Sequence, residues 1–132
     1  MKAKDLMIGD WVLIDFTPRN KYYEPGIITG LCSEEAEIVA KNQDGVPFYT
    51  DDEKKVLPIP LTAEILEKNG FDMDDYTVHF KEDEHYMLEL VFEDDELKWT
   101  INCNEYTIMN FEYVHELQHA LRLCGVEKEI NL

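Results

Sequence analysis

Pro58-Ile59-Pro60-Leu61-Thr62-Ala63-Glu64-Ile65-Leu66-Glu67-Lys68-Asn69-Gly70-Phe71 is the stretch in which the pattern of the chain changes. Pro58 and Pro60 push the residues before them into extended backbone. Thr62 is a side-chain acceptor suited to an N-cap, and Glu64 stands where a carboxylate favours a first helical turn. Leu61, Ile65 and Leu66 form a short apolar stripe, and Asn69-Gly70 supplies the stop. The spacing predicts a short helix after Thr62, with Phe71 folding back on it. Everything before Pro60 reads as strand and turn, and the chain beyond it mixes strand with helix.

Toward the N-terminus, residues 1–60 read as a meander of short strands. Gly9-Asp10 is a turn into Trp11-Val12-Leu13-Ile14, and Pro25-Gly26 leads into Ile27-Ile28-Thr29-Gly30-Leu31. Ala36 to Ala40 is a third strand, and Asp44-Gly45 turns into Val46-Pro47-Phe48-Tyr49. Lys55 to Pro60 is extended. The opening Gly9-Asp10-Trp11-Val12 followed by Pro25-Gly26-Ile27-Ile28 resembles the first two strands of SH3-like barrels.

Toward the C-terminus, Tyr76 to Phe80, Tyr86 to Phe92 and Leu97 to Asn102 alternate with the two-residue period of half-buried strands. Tyr106 to Met109 adds a further extended segment. The acidic connectors at 81–84 and 93–96, and Asp72-Met73-Asp74-Asp75, lack the spacing of oxygen ligands and the central glycine of a calcium loop. All three read as solvated turns. Asn110 is the expected cap of a last helix over Phe111 to Cys124, stopped by Gly125, and Val126 to Leu132 alternates as a terminal edge strand would. The expected fold is α+β: residues 1–60 a small SH3-like β-barrel module, and 61–132 a helix, an antiparallel meander and a C-terminal helix packed on one sheet face. One compact unit is the alternative.

Composition narrows the function classes. The 132 residues are 45% apolar, enough for a core, and carry a net charge of −17. The charge is uneven: residues 1–60 hold 11 acids and 7 bases, residues 61–132 hold 18 acids and 5 bases. Such a surface repels phosphate backbones and anionic lipids, which argues against direct nucleic-acid or membrane binding. Cys32, Cys103 and Cys124 are odd in number and form no C-x-x-C pair, as expected of thiols in a reducing cytoplasm. No apolar run approaches the ~20 residues of a membrane span, and Asp5 and Asp10 interrupt any signal-peptide pattern. Gly-rich phosphate loops and G-x-S-x-G are absent from the sequence.

One motif carries chemistry: His115-Glu116-Leu117-Gln118-His119 spells H-E-x-x-H. On a helix, His115 and His119 share a face and could ligate one zinc, with Glu116 polarising a bound water. A catalytic zinc needs a third protein ligand, yet only Glu127 and Glu129 come after the motif, and His79 and His85 are awkward donors from upstream. At about 100° per residue, Tyr113, Val114, Leu117, Ala120, Leu121 and Cys124 make one stripe, with both histidines opposite it beside Glu112 and Arg122. That pattern predicts a helix packed once on a sheet, its imidazoles facing water.

Leu6-Met7-Ile8-Gly9-Asp10-Trp11-Val12, the stretch Pro58 to Phe71, and Tyr113-Val114-His115-Glu116-Leu117-Gln118 together resemble an uncharacterised family of small proteins from gut anaerobic bacteria, their phages and mobile elements. The resemblance spans nearly the whole chain. It implies Gln at the position of Glu116 and Asn at that of His119 in many relatives, and so a zinc signature that arose locally here. The leading expectation is a non-enzymatic protein-interaction module, with no catalytic residue and no cofactor. Its protein partner would be a basic one on grounds of charge. The alternatives are a zinc-dependent metallohydrolase using His115, Glu116 and His119, and an acidic nucleic-acid mimic that binds a DNA-binding protein.

Overall fold

The computed structural model describes residues 1–15, 22–32, 37–74, 77–79, 86–93, 96–103, 106–123, 125 and 127–132. The fold is α+β, and the chain divides into two compact units, Met1–Ile59 and Pro60–Leu132.

The first unit is a five-stranded antiparallel sheet of β1 (Trp11–Asp15), β2 (Tyr23–Cys32), β3 (Glu37–Asn42), β4 (Pro47–Thr50) and β5 (Val56–Pro58), in the order β4-β3-β2-β1-β5. The meander runs β1 to β4, and after a 3-10 turn at Glu53–Lys55 the chain returns to pair β5 with β1. The sheet is open: among the described residues no pairing joins β4 to β5. Closure into a barrel, expected from the Gly9-Asp10-Trp11-Val12 beginning, is therefore not seen.

Alternation sorts the side chains of this sheet. Val12, Ile14, Ile28, Ile38, Ala40 and Val56 are buried and pack with Leu6 into one core, while Trp11, Leu13, Ile27 and Val39 on the opposite sheet face are half-buried. Gly26, opposite Val12, leaves room that a larger residue would fill: a Cβ there would overlap Ile14 Cδ1 and come within 3.1 Å of the Lys41 carbonyl oxygen. The turn into β1 is held by Asp10, fully buried, whose Oδ2 accepts from the Met7 amide at 2.7 Å. Gly9 adopts φ 92° there, and its amide donates to the Ile28 carbonyl at 2.8 Å. The β3–β4 hairpin is tied by Asn42, whose Oδ1 accepts from the amides of Asp44 and Val46 at 3.1 and 2.8 Å.

The second unit begins with α1 (Ala63–Lys68), then β6 (Asp72–Asp74), β7 (Thr77–His79), β8 (Tyr86–Glu93), β9 (Glu96–Cys103) and β10 (Tyr106–Phe111), and ends with α2 (Val114–Leu123). The strands form a second antiparallel sheet in the order β10-β9-β8-β7-β6. Thr62 caps α1 as the sequence predicts, its Oγ1 accepting from the Ile65 amide at 3.3 Å. The helix closes with Gly70 at φ 82°, its amide donating to Glu67 O and that of Phe71 to Leu66 O, at 3.0 and 3.1 Å. That pair of bonds is the Schellman arrangement, and Phe71 is buried behind it.

Four expectations need correction. Asp72–Asp74 is a strand paired with β7, not a turn, because main-chain pairing needs no apolar alternation. The last helix starts at Val114, not Phe111: Asn110 and Phe111 pair with Thr100 and Trp99 of β9, so the ladder takes the amides that a helix would have used. The chain does not end in a strand over 127–132. Asn131 instead pairs with a side chain, its N–H donating to Asn69 Oδ1 and its carbonyl accepting from Asn69 Nδ2, both at 2.7 Å. The fourth correction is that His115 is buried, not turned to water. Parts of the strand expectations at Ala36, Tyr76 and Phe80, the loop at 81–84, and Cys124 lie outside the described residues.

Candidate functional site

The H-E-x-x-H residues fall in the first two turns of α2, and the start of that helix is fastened from two sides. Pro60 bridges to Tyr113, and the Leu61 amide donates to the Glu112 carbonyl at 2.9 Å. Glu116, third residue of the helix, reaches back, so that one of its oxygens, Oε2, accepts from the amides of Glu112 at 2.7 Å and Tyr113 at 3.1 Å. Tyr113 is the residue whose carbonyl takes the first helical bond, and its amide is one of the donors that a helix start leaves without intrahelical acceptors; Glu112 stands one residue before it. Glu116 thus performs the return half of a capping box, and its negative charge also suits the positive end of the helix dipole. The first intrahelical bond runs from the Leu117 amide to the Tyr113 carbonyl at 3.1 Å, and Gly125, at φ 73°, comes after the last turn.

The apolar stripe read from the helical wheel is buried as expected: Val114, Leu117 and Ala120 are fully inaccessible and Leu121 nearly so. The opposite face is not the solvated one the wheel predicts. His115 and Gln118 are each only 7% exposed, and His119 is half-buried. Only Arg122 and Leu123, at the far end, are exposed. Helix α2 is therefore covered on both faces, and the expectation of outward-facing imidazoles fails for His115. The physical reason is that a wheel ranks faces by polarity alone. Among the polar residues of α2, His115 and Gln118 carry no fixed charge and are far cheaper to bury than Arg122, which stays exposed.

The two imidazoles are close. Their ring centroids lie 5.7 Å apart with planes at 85°. His115 also stacks on Tyr113, at 5.9 Å and 18°. Glu116 points along the helix toward its start and is occupied there by two amides. The trio therefore separates into a histidine pair and a capping carboxylate. Among the described residues no group of three or more His, Cys, Asp and Glu side chains is placed to hold a metal ion. His79 lies in β7, and Glu127 and Glu129 are exposed in the tail.

Two further places were not singled out from the sequence. Asn69, 8% exposed, holds the tail through the paired bonds to Asn131 and also donates from Nδ2 to Ile65 O at 2.7 Å. Around it, Lys68 Nζ donates to Leu132 O, Lys128 Nζ lies 5.6 Å over the Phe71 ring, and Ile130 is 3% exposed. The Asn69-Gly70 dipeptide signals a helix stop, but nothing in it signals what the side chain will grip. In the first unit, Glu37, Tyr49, Thr50 and Asp51 line an open pocket of about 410 Å³. Tyr49 is 64% exposed and shares the pocket with two acidic residues, Glu37 and Asp51.

No described helix is long and apolar enough to cross a membrane. Comparison of the chain with protein-family models, with curated proteins and with solved structures finds no match.

Proposed function

We propose that this protein is a non-enzymatic interaction module whose partner is a basic protein. The observation that carries this reading is the charge distribution: residues 61–132 set 18 acids against 5 bases. Potentials of that sign raise the encounter rate with cationic surfaces and repel nucleic acid. Glu64, Glu67, Glu112, Glu127 and Glu129 are exposed to make such contacts. The pocket of the first unit fits the same partner class, since a lining of one tyrosine and two acidic residues suits a Lys or Arg side chain. Ile8, Tyr22 and Tyr49, each about two-thirds exposed, add the apolar contact area that charge alone does not provide.

Hydrolysis is the weaker reading because of Glu116. A general base must reach the water it deprotonates, and this carboxylate is engaged by two main-chain donors at the helix start. The nucleic-acid mimic makes the same electrostatic demand as the leading reading, and the partner's identity would separate the two. We read the first unit as SH3-like on its strand order and on the 3-10 turn between β4 and β5. As readings of the sequence, we also propose a cytoplasmic location and kinship, through the three motifs, with the phage and mobile-element family.

The test is capture of partners by the full chain and by a Glu67→Lys, Glu112→Lys, Glu127→Lys variant. A basic partner held at low salt, released by added salt and lost by the variant is the expected result. Partners that bind the variant as tightly as the parent would overturn the proposal.

A further inference from the structure

We propose that His115 and His119 form a two-histidine site for a divalent transition-metal ion, structural and exchangeable in kind, and independent of the partner-binding reading above. Four observations converge on it. The residues are four apart on a formed helix, which puts both rings on one face. Two imidazoles sharing one tetrahedral zinc, at the usual Zn–N distance of about 2.1 Å, have ring centroids roughly 5 Å apart. The pair already stands at 5.7 Å, within about an ångström of that separation. The third observation is burial. His115, at 7% exposure, is held against Tyr113 in a stacked contact, so one ligand is ordered before the ion arrives and little side-chain entropy remains to be lost. His119 is half-buried and supplies the side open to solvent.

The fourth observation concerns Glu116. The helical signature would offer it as a partner in metal chemistry, but its carboxylate serves the helix start instead. The site is then a pair of neutral nitrogen donors with water completing the coordination, in keeping with the lack of a third ligand among the described residues. Such a donor set selects imidazole-seeking ions such as Zn²⁺, Ni²⁺ and Cu²⁺ over Mg²⁺ and Ca²⁺, which require oxygen cages. Bound metal would cross-link one turn of α2 and add to its stability by mass action. The net charge of −17 concentrates cations near the chain without choosing among them.

The experiment is titration of the full-length protein with Zn²⁺ in excess Mg²⁺, which occupies the many surface carboxylates. The expected result is saturation at one equivalent and an upward shift of the unfolding temperature. Perturbation of the ring-nitrogen resonances should be confined to His115 and His119. Both the temperature shift and the stoichiometric binding should be lost in His119→Ala, chosen because His119 is half-buried where His115 is buried, and should persist in Glu116→Gln. Lower pH should weaken binding, because protons compete for the same nitrogens. Three results would each overturn the proposal: no saturable binding by the parent protein, equal binding by His119→Ala, or ring shifts confined to His79 and His85. Loss of binding in a folded Glu116→Gln protein would also overturn it, since the carboxylate would then be a ligand.

Discussion

Helices α1 and α2 solve the same problem at their ends by opposite means. In α1 both caps are local: Thr62 holds the start, and the Gly70 and Phe71 amides close the end on Glu67 and Leu66. The grip of Asn69 on Asn131 is added to an end already closed. The start of α2 is held differently. Glu116 reaches back from inside the helix, and Pro60 and Leu61, more than fifty residues upstream, pin the entry. The short helix is thus written in its own sequence, whereas the position of the long one depends on strands β9 and β10 deciding where the ladder stops. Local devices produce a helix that pattern reading finds. Remote ones produce a helix whose boundaries and facing pattern reading misplaces.

The difference is sharpest in the core. Leu117→Ala removes a fully buried side chain from a helix covered on both faces, where collapse around the cavity is restricted. We expect a loss of about 4 kcal/mol, measured as a shift in the urea midpoint of the full chain. A loss below about 1 kcal/mol would show that the second face of α2 is loosely covered, and the contrast between the helices would dissolve.

A smaller effect is expected at the join between α1 and the tail. Asn69→Ala removes the side-chain partner of two main-chain groups of Asn131, while the Ile65 carbonyl keeps the backbone amide of residue 69. Unmade bonds at a buried position should cost about 2 kcal/mol, and the amide of Asn131 should lose protection from hydrogen exchange. Unchanged protection at Asn131 would mean that the tail is held by Ile130 burial instead.

The smallest pair of effects compares the two caps directly. Thr62→Ala and Glu116→Ala should each cost roughly 1 kcal/mol. The first should loosen only the start of α1, while the second should also raise exchange at the amides of Glu112 and Tyr113. Equal and purely local responses would erase the distinction between the two helices.

Much of the architecture is legible in the residues themselves. The Gly9-Asp10 turn, the Asp44-Gly45 hairpin, the alternation of β1 and the whole of α1 come from turn chemistry and period. The short acidic strand β6 is not legible, because its pairing with β7 rests on main-chain bonds that any side chains permit. Nor is the role of Asn69, whose partner lies 62 residues away. The candidate site is half legible: the spacing of His115 and His119 shows that they are neighbours, but not that Glu116 turns away from them.

The sequence alone determined composition, charge asymmetry, the strand-rich start, the break at Pro60 and the apolar stripe of α2, since each depends on residue identity and nearest-neighbour geometry. Tertiary structure alone decided that His115 is buried, that Glu116 caps the helix start, and that the last helix yields Asn110 and Phe111 to a strand. A helical wheel fixes the angle at which a side chain leaves the axis. What lies along that direction belongs to the rest of the chain, and the free energy of burying an imidazole is set there.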